Sequence, residues 1–161
     1  MRQGSNAAES LTETVSLAQA AESLGYKRYW VAEHHNSTSF TGTAPEILIG
    51  QIAAKTSTIR VGSGGVMLSH YSALKVAEQF SILNAFYPGR IDLGVGRAPG
   101  SDQKTAFALT YPRPPADVNR FPQMISDLLA FLEDDIEDGH PFNGITALAG
   151  PVQPEKPEVW L

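Results

Sequence analysis

At 161 residues, 42% hydrophobic and 18% charged, the chain has the length and composition of one ordinary globular domain. Its net charge of −5 and scattered basic residues argue against nucleic acid as a partner, and the absence of cysteine excludes disulfides and thiolate metal ligands, as suits a reducing cytoplasm. No stretch approaches the ~18 apolar residues of a membrane span, and Met1–Asn6 lacks the apolar core of a signal peptide. The expectation is a soluble, cytoplasmic protein.

From Asn6 to Leu24 the apolar residues Ala8, Leu11, Val15, Ala18 and Ala21 recur at helical steps, and Gly25 stands where a C-terminal cap belongs. Residues 26–32 are rich in aromatic and β-branched types and predict a strand that ends at Glu33-His34-His35. Pro45 opens a second helix to about Lys55. Residues 59–68 predict a strand with a glycine-rich C-terminal end, Ser72–Phe86 a third helix, and residues 90–96 a third strand. Residues 98–115 read as a long loop with several prolines, and Asp117 as the cap of a helix to about Asp134. Residues 133–157 read as an excursion of loops, before a last strand that opens at Glu158.

Strands alternating with helices point to right-handed parallel β/α units, in a doubly wound sheet or a barrel. The glycines do not follow the first strand with dinucleotide-binding spacing, which favours the barrel. Eight β/α units need ~250 residues, so the reading is a single incomplete (β/α)8 barrel domain over 1–161, about its first half. An open half-barrel exposes strand edges, so a fragment or one part of an assembly is expected.

In parallel barrels the working residues gather at the C-terminal strand ends, here Glu33-His34-His35, Gly62–Leu68 and Gly94–Gly100. Each has an ordinary alternative: a histidine after a strand often serves as a hydrogen-bonded loop residue, glycines make turns, and Arg97 can form a surface ion pair. Adjacent His34 and His35 point to opposite sides of an extended chain, and His70 and His140 add no ligand pattern, so no metal site is expected.

The run from Leu17 to Asp102 carries Tyr29-Trp-Val-Ala-Glu-His-His-Asn36, Arg60-Val-Gly-Ser-Gly-Gly-Val-Met-Leu68, Asn84-Ala-Phe-Tyr-Pro-Gly-Arg90 and Ile91-Asp-Leu-Gly-Val-Gly-Arg97. In that order and spacing these segments resemble the N-terminal part of the luciferase-like flavin monooxygenases. The resemblance implies a barrel that uses reduced FMN and O2 to place one oxygen atom on a small organic substrate, the other leaving as water. It implies His34 as the proton donor or acceptor at the reactive face of the flavin. Glu33, Gly64, Gly65, Gly96 and Arg97 would be the cofactor-binding residues. Gly64-Gly65 falls where the family often has a non-prolyl cis peptide, and Gly96 stands where bacterial luciferase has a cysteine, which favours an oxidoreductase that does not emit light.

The resemblance also allows a separate flavin reductase as partner and a homodimer packed through barrel helices. An F420-dependent hydride-transfer oxidoreductase of the same fold is one alternative, and a non-catalytic truncated subunit or gene remnant is another. The family places a strand before the first helix and further strands after Leu161 that supply most phosphate-binding groups, so the chain alone is expected to bind FMN poorly.

Overall fold

The computed structural model describes residues 4–148, 150 and 155–161. Helix α1 (Ala7–Ser23) starts at Asn6, whose Oδ1 accepts from the Glu9 N–H at 3.0 Å while Glu9 Oε2 accepts from the Asn6 N–H at 3.2 Å. This reciprocal box satisfies two otherwise orphaned donors. Gly25, at φ +82°, ends the helix in the left-handed region, which costs a glycine little.

The chain continues through β1 (Arg28–Val31), α2 (Pro45–Lys55), β2 (Arg60–Met67), a 3-10 turn over Leu68–His70, α3 (Ala73–Phe86) and β3 (Ile91–Gly96). Then come α4 (Gln103–Thr110), a 3-10 turn over Val118–Arg120, α5 (Phe121–Glu133) and β4 (Glu158–Trp160). No described helix is long and apolar enough to cross a membrane.

Two expectations are corrected. The stretch expected as loop from 98 to 115 contains α4, capped by Asp102, whose carboxylate accepts from the Thr105 N–H at 3.1 Å. The helix expected from Asp117 is broken: Asp117 caps only the 3-10 turn. Pro122 has no N–H to give to Val118, so the turn does not run on, and the α-helix begins at Phe121. Part of the loop excursion, residues 149 and 151–154, lies outside the described residues.

The strands lie in the order β1-β2-β3-β4, all parallel, so every connection is a crossover that carries a helix. Alternation along each strand sorts the side chains. Val31, Val61, Ile91, Leu93 and Val95 join Ile49, Ile52, Val76, Phe80, Leu128 and Phe131 in one apolar cluster under the helices. The other face carries Arg28 and Trp30 of β1, Arg60 of β2, Asp92 of β3, and Glu158 and Trp160 of β4.

Arg28 Nη2 donates to Glu158 Oε2 at 2.8 Å. In a flat sheet their strands, three spacings apart, would be separated by about 14 Å. With the Trp30 and Trp160 rings of the same two strands only 5.4 Å apart, the contact fits a sheet curled toward this face, as in a section of a barrel.

Between the Ser63–Leu93 and Val66–Val95 pairs, Gly64 and Gly65 of β2 stand opposite Gly94 of β3 alone, a bulge. The two strands approach so closely there that a Cβ on Gly94 would lie 2.1 Å from the Ser63 carbonyl oxygen, and one on Gly65 2.8 Å from that of Gly94. At Gly96 the nearest atom would be 3.8 Å away.

Gly94→Ala is therefore expected to lower stability by about 1–3 kcal/mol through forced displacement of backbone, and Gly96→Ala to leave it nearly unchanged. Thermal melting of both variants checks the contrast.

At the end of α1, Glu22 Oε1 accepts from the N–H groups of Ser57, Thr58 and Ile59 at 2.6–2.9 Å. The Thr58 and Ile59 N–H groups chiefly, with Ser57 and the Thr58 hydroxyl, hold its carboxyl at about 2, below its usual 4.5. The ionised form is the one the fold favours, so this contribution is complete above about pH 4.5 and is lost as the pH falls toward 2. Melting temperatures across that window should drop less steeply for Glu22→Gln than for the parent chain; parallel profiles would contradict the assignment.

Candidate functional site

Three loops leave the C-terminal ends of β1, β2 and β3, and side-chain contacts hold them together. Glu33, two residues beyond Val31 at the end of β1, is 1% exposed. Its Oε2 accepts from the Met67 N–H at 3.0 Å, and its Oε1 accepts from the Tyr71 hydroxyl at 2.7 Å and meets His35 Nε2 at 2.6 Å. Such a buried carboxylate is tolerated because its lone pairs are occupied. Burial, and then Glu33 itself, push the Tyr71 phenol above its ordinary range, so the hydroxyl remains a donor.

The β3 loop is tied to both others. His70, 4% exposed, meets the Pro99 carbonyl through Nε2 at 2.8 Å. A carbonyl only accepts, so Nε2 carries the proton. Asn36, in the left-handed region at φ +50°, donates from Nδ2 to Asp102 Oδ2 at 3.1 Å. The Thr105 hydroxyl and then Asn36 hold the Asp102 carboxyl well below the usual carboxylate range.

The residues expected at the site fall into three groups. His34 is half-buried, its ring stacked on Phe40 at 4.9 Å and its N–H bonded to the Gly42 carbonyl. With Tyr29, Trp30, Phe40 and Leu48 it lines a pocket of about 380 Å³ beside the outer edge of β1. Gly64 packs on Trp30, since a Cβ there would lie 3.2 Å from the indole. Trp30 thus joins the His34 pocket to the Gly64-Gly65 bulge, whose connecting peptide is cis. Gly96 pairs with Met67 next to that bulge.

Arg97 does not share the His34 pocket. It is exposed and borders a pocket of about 190 Å³ with His70, Pro99, Asp117, Phe121 and Met124. Glu33 faces its own three partners in the interior.

Sequence reasoning weighed His35 and His70 only as metal ligands and did not single out Tyr71. A signal for His35 was present, because residues two apart on an extended chain share a side, which places His35 with Glu33. Tyr71 and Met67 lie 38 and 34 positions from Glu33, beyond the reach of any local pattern. Among the described residues no three His, Asp or Glu side chains converge as a metal-ligand set.

This architecture has known counterparts. The family of luciferase-like monooxygenases matches residues 1–161. The uncharacterized protein YwcH of Bacillus subtilis is 53% identical, with 99% of this chain and 47% of that protein covered. The N-acetyl-S-alkylcysteine monooxygenase of the same organism is 48% identical, with 99% and 47% covered. The chain therefore spans about half the length of the curated relatives it matches.

Among solved structures, apo-MsnO8 superposes with a TM-score of 0.86 at 46% identity, over 98% of this chain and 45% of that one. Two more distant structures share the fold. One is the oxygenating constituent of 3,6-diketocamphane monooxygenase from Pseudomonas putida in complex with FMN, with a TM-score of 0.68 at 22% identity over 83% of this chain and 37% of that one. The other is an F420-dependent secondary alcohol dehydrogenase, with a TM-score of 0.69 at 16% identity over 92% of this chain and 47% of that one. The four-stranded parallel sheet corresponds to the first half of the family's barrel, and the chain belongs to the luciferase-like monooxygenase family.

Proposed function

We propose that this chain forms one wall of a site for reduced FMN in a monooxygenase that acts with O2 on a small organic substrate. The observation that carries the reading is the open backbone at the end of β3, where a Cβ on Gly96 would have no atom nearer than 3.8 Å. At Gly64, Gly65 and Gly94 the place of a side chain is taken by Trp30 or by the neighbouring strand. A flat ring system can approach the backbone at Gly96, which pairs with Met67 of the bulged strand, so the residues present fit a flavin. Family membership and the relative named a monooxygenase support the oxygenase class, and the FMN-bound structure of the same fold supports the cofactor.

Bound there, FMN would supply the redox chemistry and the activation of O2. The chain would supply position and environment. Gly96 would let the ring reach the backbone, with Gly64 and Gly65 beside it. Arg97, exposed at the end of β3, would offer its fork of N–H donors to the anionic part of the cofactor. Trp30, Phe40 and Leu48 would keep water from the reacting atoms. His34 would hold or release a proton at the ring face, a role that suits imidazole near neutral pH. Glu33 would act from beneath by fixing the loop that carries His34. The whole would be one incomplete barrel domain working in the cytoplasm, and a separate flavin reductase and a second copy of the chain are the partners this reading allows.

Anaerobic titration with FMNH2, set beside reduced F420, tests it. Weak but saturable FMNH2 binding is expected, since the chain spans half of the family's barrel, weakened about tenfold further by Arg97→Ala through loss of a charge-assisted contact and little changed by His34→Ala, which should instead lower the yield of oxygenated product once O2 is admitted. Preferential binding of F420 would move the chain to the hydride-transfer reading, and a folded chain that binds neither would leave it a non-catalytic remnant.

A further inference from the structure

Glu33 and His35 form a carboxylate–imidazole pair that the flavin reading does not use. His35 Nε2 lies 2.6 Å from Glu33 Oε1, and the same oxygen accepts from the Tyr71 hydroxyl. With the Tyr71 and Met67 donors already on it, the carboxylate acts as acceptor, so the proton between the pair belongs to His35 Nε2. The lone pair of the neutral ring is then on Nδ1, which makes no hydrogen bond to a described residue. The side chain keeps 9% of its surface open, and its only ring contact among the described residues is an edge approach to His70, with centroids 6.4 Å apart. His34 differs: among the described residues its ring meets no carboxylate and rests on Phe40.

We propose that His35, oriented by Glu33 and tuned by Tyr71, is a proton-accepting group of this site, with Nδ1 as the atom that receives the proton. A bound N–H or O–H acid gives its proton to Nδ1, and the resulting imidazolium keeps its Nε2–H on Glu33. No proton passes to the carboxylate, whose charge stabilises the cation. Glu33 and Tyr71 are positioning residues, since they act only through His35. Tyr71 has a definite sign of effect: it occupies part of Oε1, so it moderates the pull of Glu33 on the imidazole. The use of this pair in an oxygenase rests on the flavin reading above, but the reactivity of Nδ1 does not.

Carbethoxylation of the flavin-free chain by diethyl pyrocarbonate at pH 7, read histidine by histidine by mass spectrometry, separates the two. The reagent reports the nucleophilicity of an unprotonated ring nitrogen. Glu33→Gln should slow His35 at least fivefold and Tyr71→Phe should quicken it at least twofold, while His70, buried and bonded to Pro99, stays slow in all three proteins. A shared rise at His34, His70 and His140 marks unfolding, and Tyr71→Phe, which strips no donor of its partner, then decides the question. An unmodified His35, or one whose rate ignores both substitutions, overturns the proposal. Failure of FMNH2 to bind overturns only the flavin reading.

Discussion

A buried carboxylate ties three strands of this sheet together, and a second acid brings in the fourth. Asp92 on β3, with no exposed surface, accepts from Arg28 Nε at 3.0 Å and Trp30 Nε1 at 2.9 Å on β1, and from Arg60 Nε at 2.8 Å on β2. Glu158 on β4 closes the group through both arginines, and Arg28 lies over the Trp160 ring. Gly62 is required opposite Asp92, because a Cβ there would meet the aspartate backbone at 2.5 Å. A buried ionic cluster of this kind adds little net stability over an apolar core of equal volume, but removal of one member leaves the others uncompensated. Its consequence is geometric. It joins inward-facing side chains of all four strands on one face, below the C-terminal strand ends and their loops.

The loops above it are joined by a second buried carboxylate. Glu33 connects β1 to the start of the β2 loop through the Met67 N–H and to the following turn through Tyr71. From that turn His70 reaches the β3 loop. These contacts account for how the loops at the C-terminal strand ends are held. The relatives run to about twice this length, and the four strands correspond to the first half of their barrel.

Much of the fold was legible in the sequence because it depends on periodicity. The spacing of Ile49, Ile52 and Ala53 marked α2, and the aromatic and β-branched runs marked β1 and β3. Helix α4 was missed because only Ala106 and Thr110 are buried in it, too few to make a stripe. The break before α5 turns on one missing N–H at Pro122. At the site, the expected residues were read from motifs, but their arrangement was not: Trp30 links His34 to the glycine bulge, while Arg97 opens onto a different pocket. The Glu33 partners come from other strands, which no local pattern reports. The interior cluster escaped for the same reason, since Arg28, Arg60, Asp92 and Glu158 look like ordinary surface charges until the sheet register brings them together.

The claim on which the account rests is that Asp92 organises the inner face, and urea unfolding of Asp92→Asn tests it most directly. The substitution keeps the size of the side chain and removes the charge that Arg60 and its neighbours share. A loss of about 3 kcal/mol is predicted, as for a broken buried ion pair. An unfolding curve that superimposes on that of the parent chain would contradict it and would make the cluster an incidental surface of the sheet.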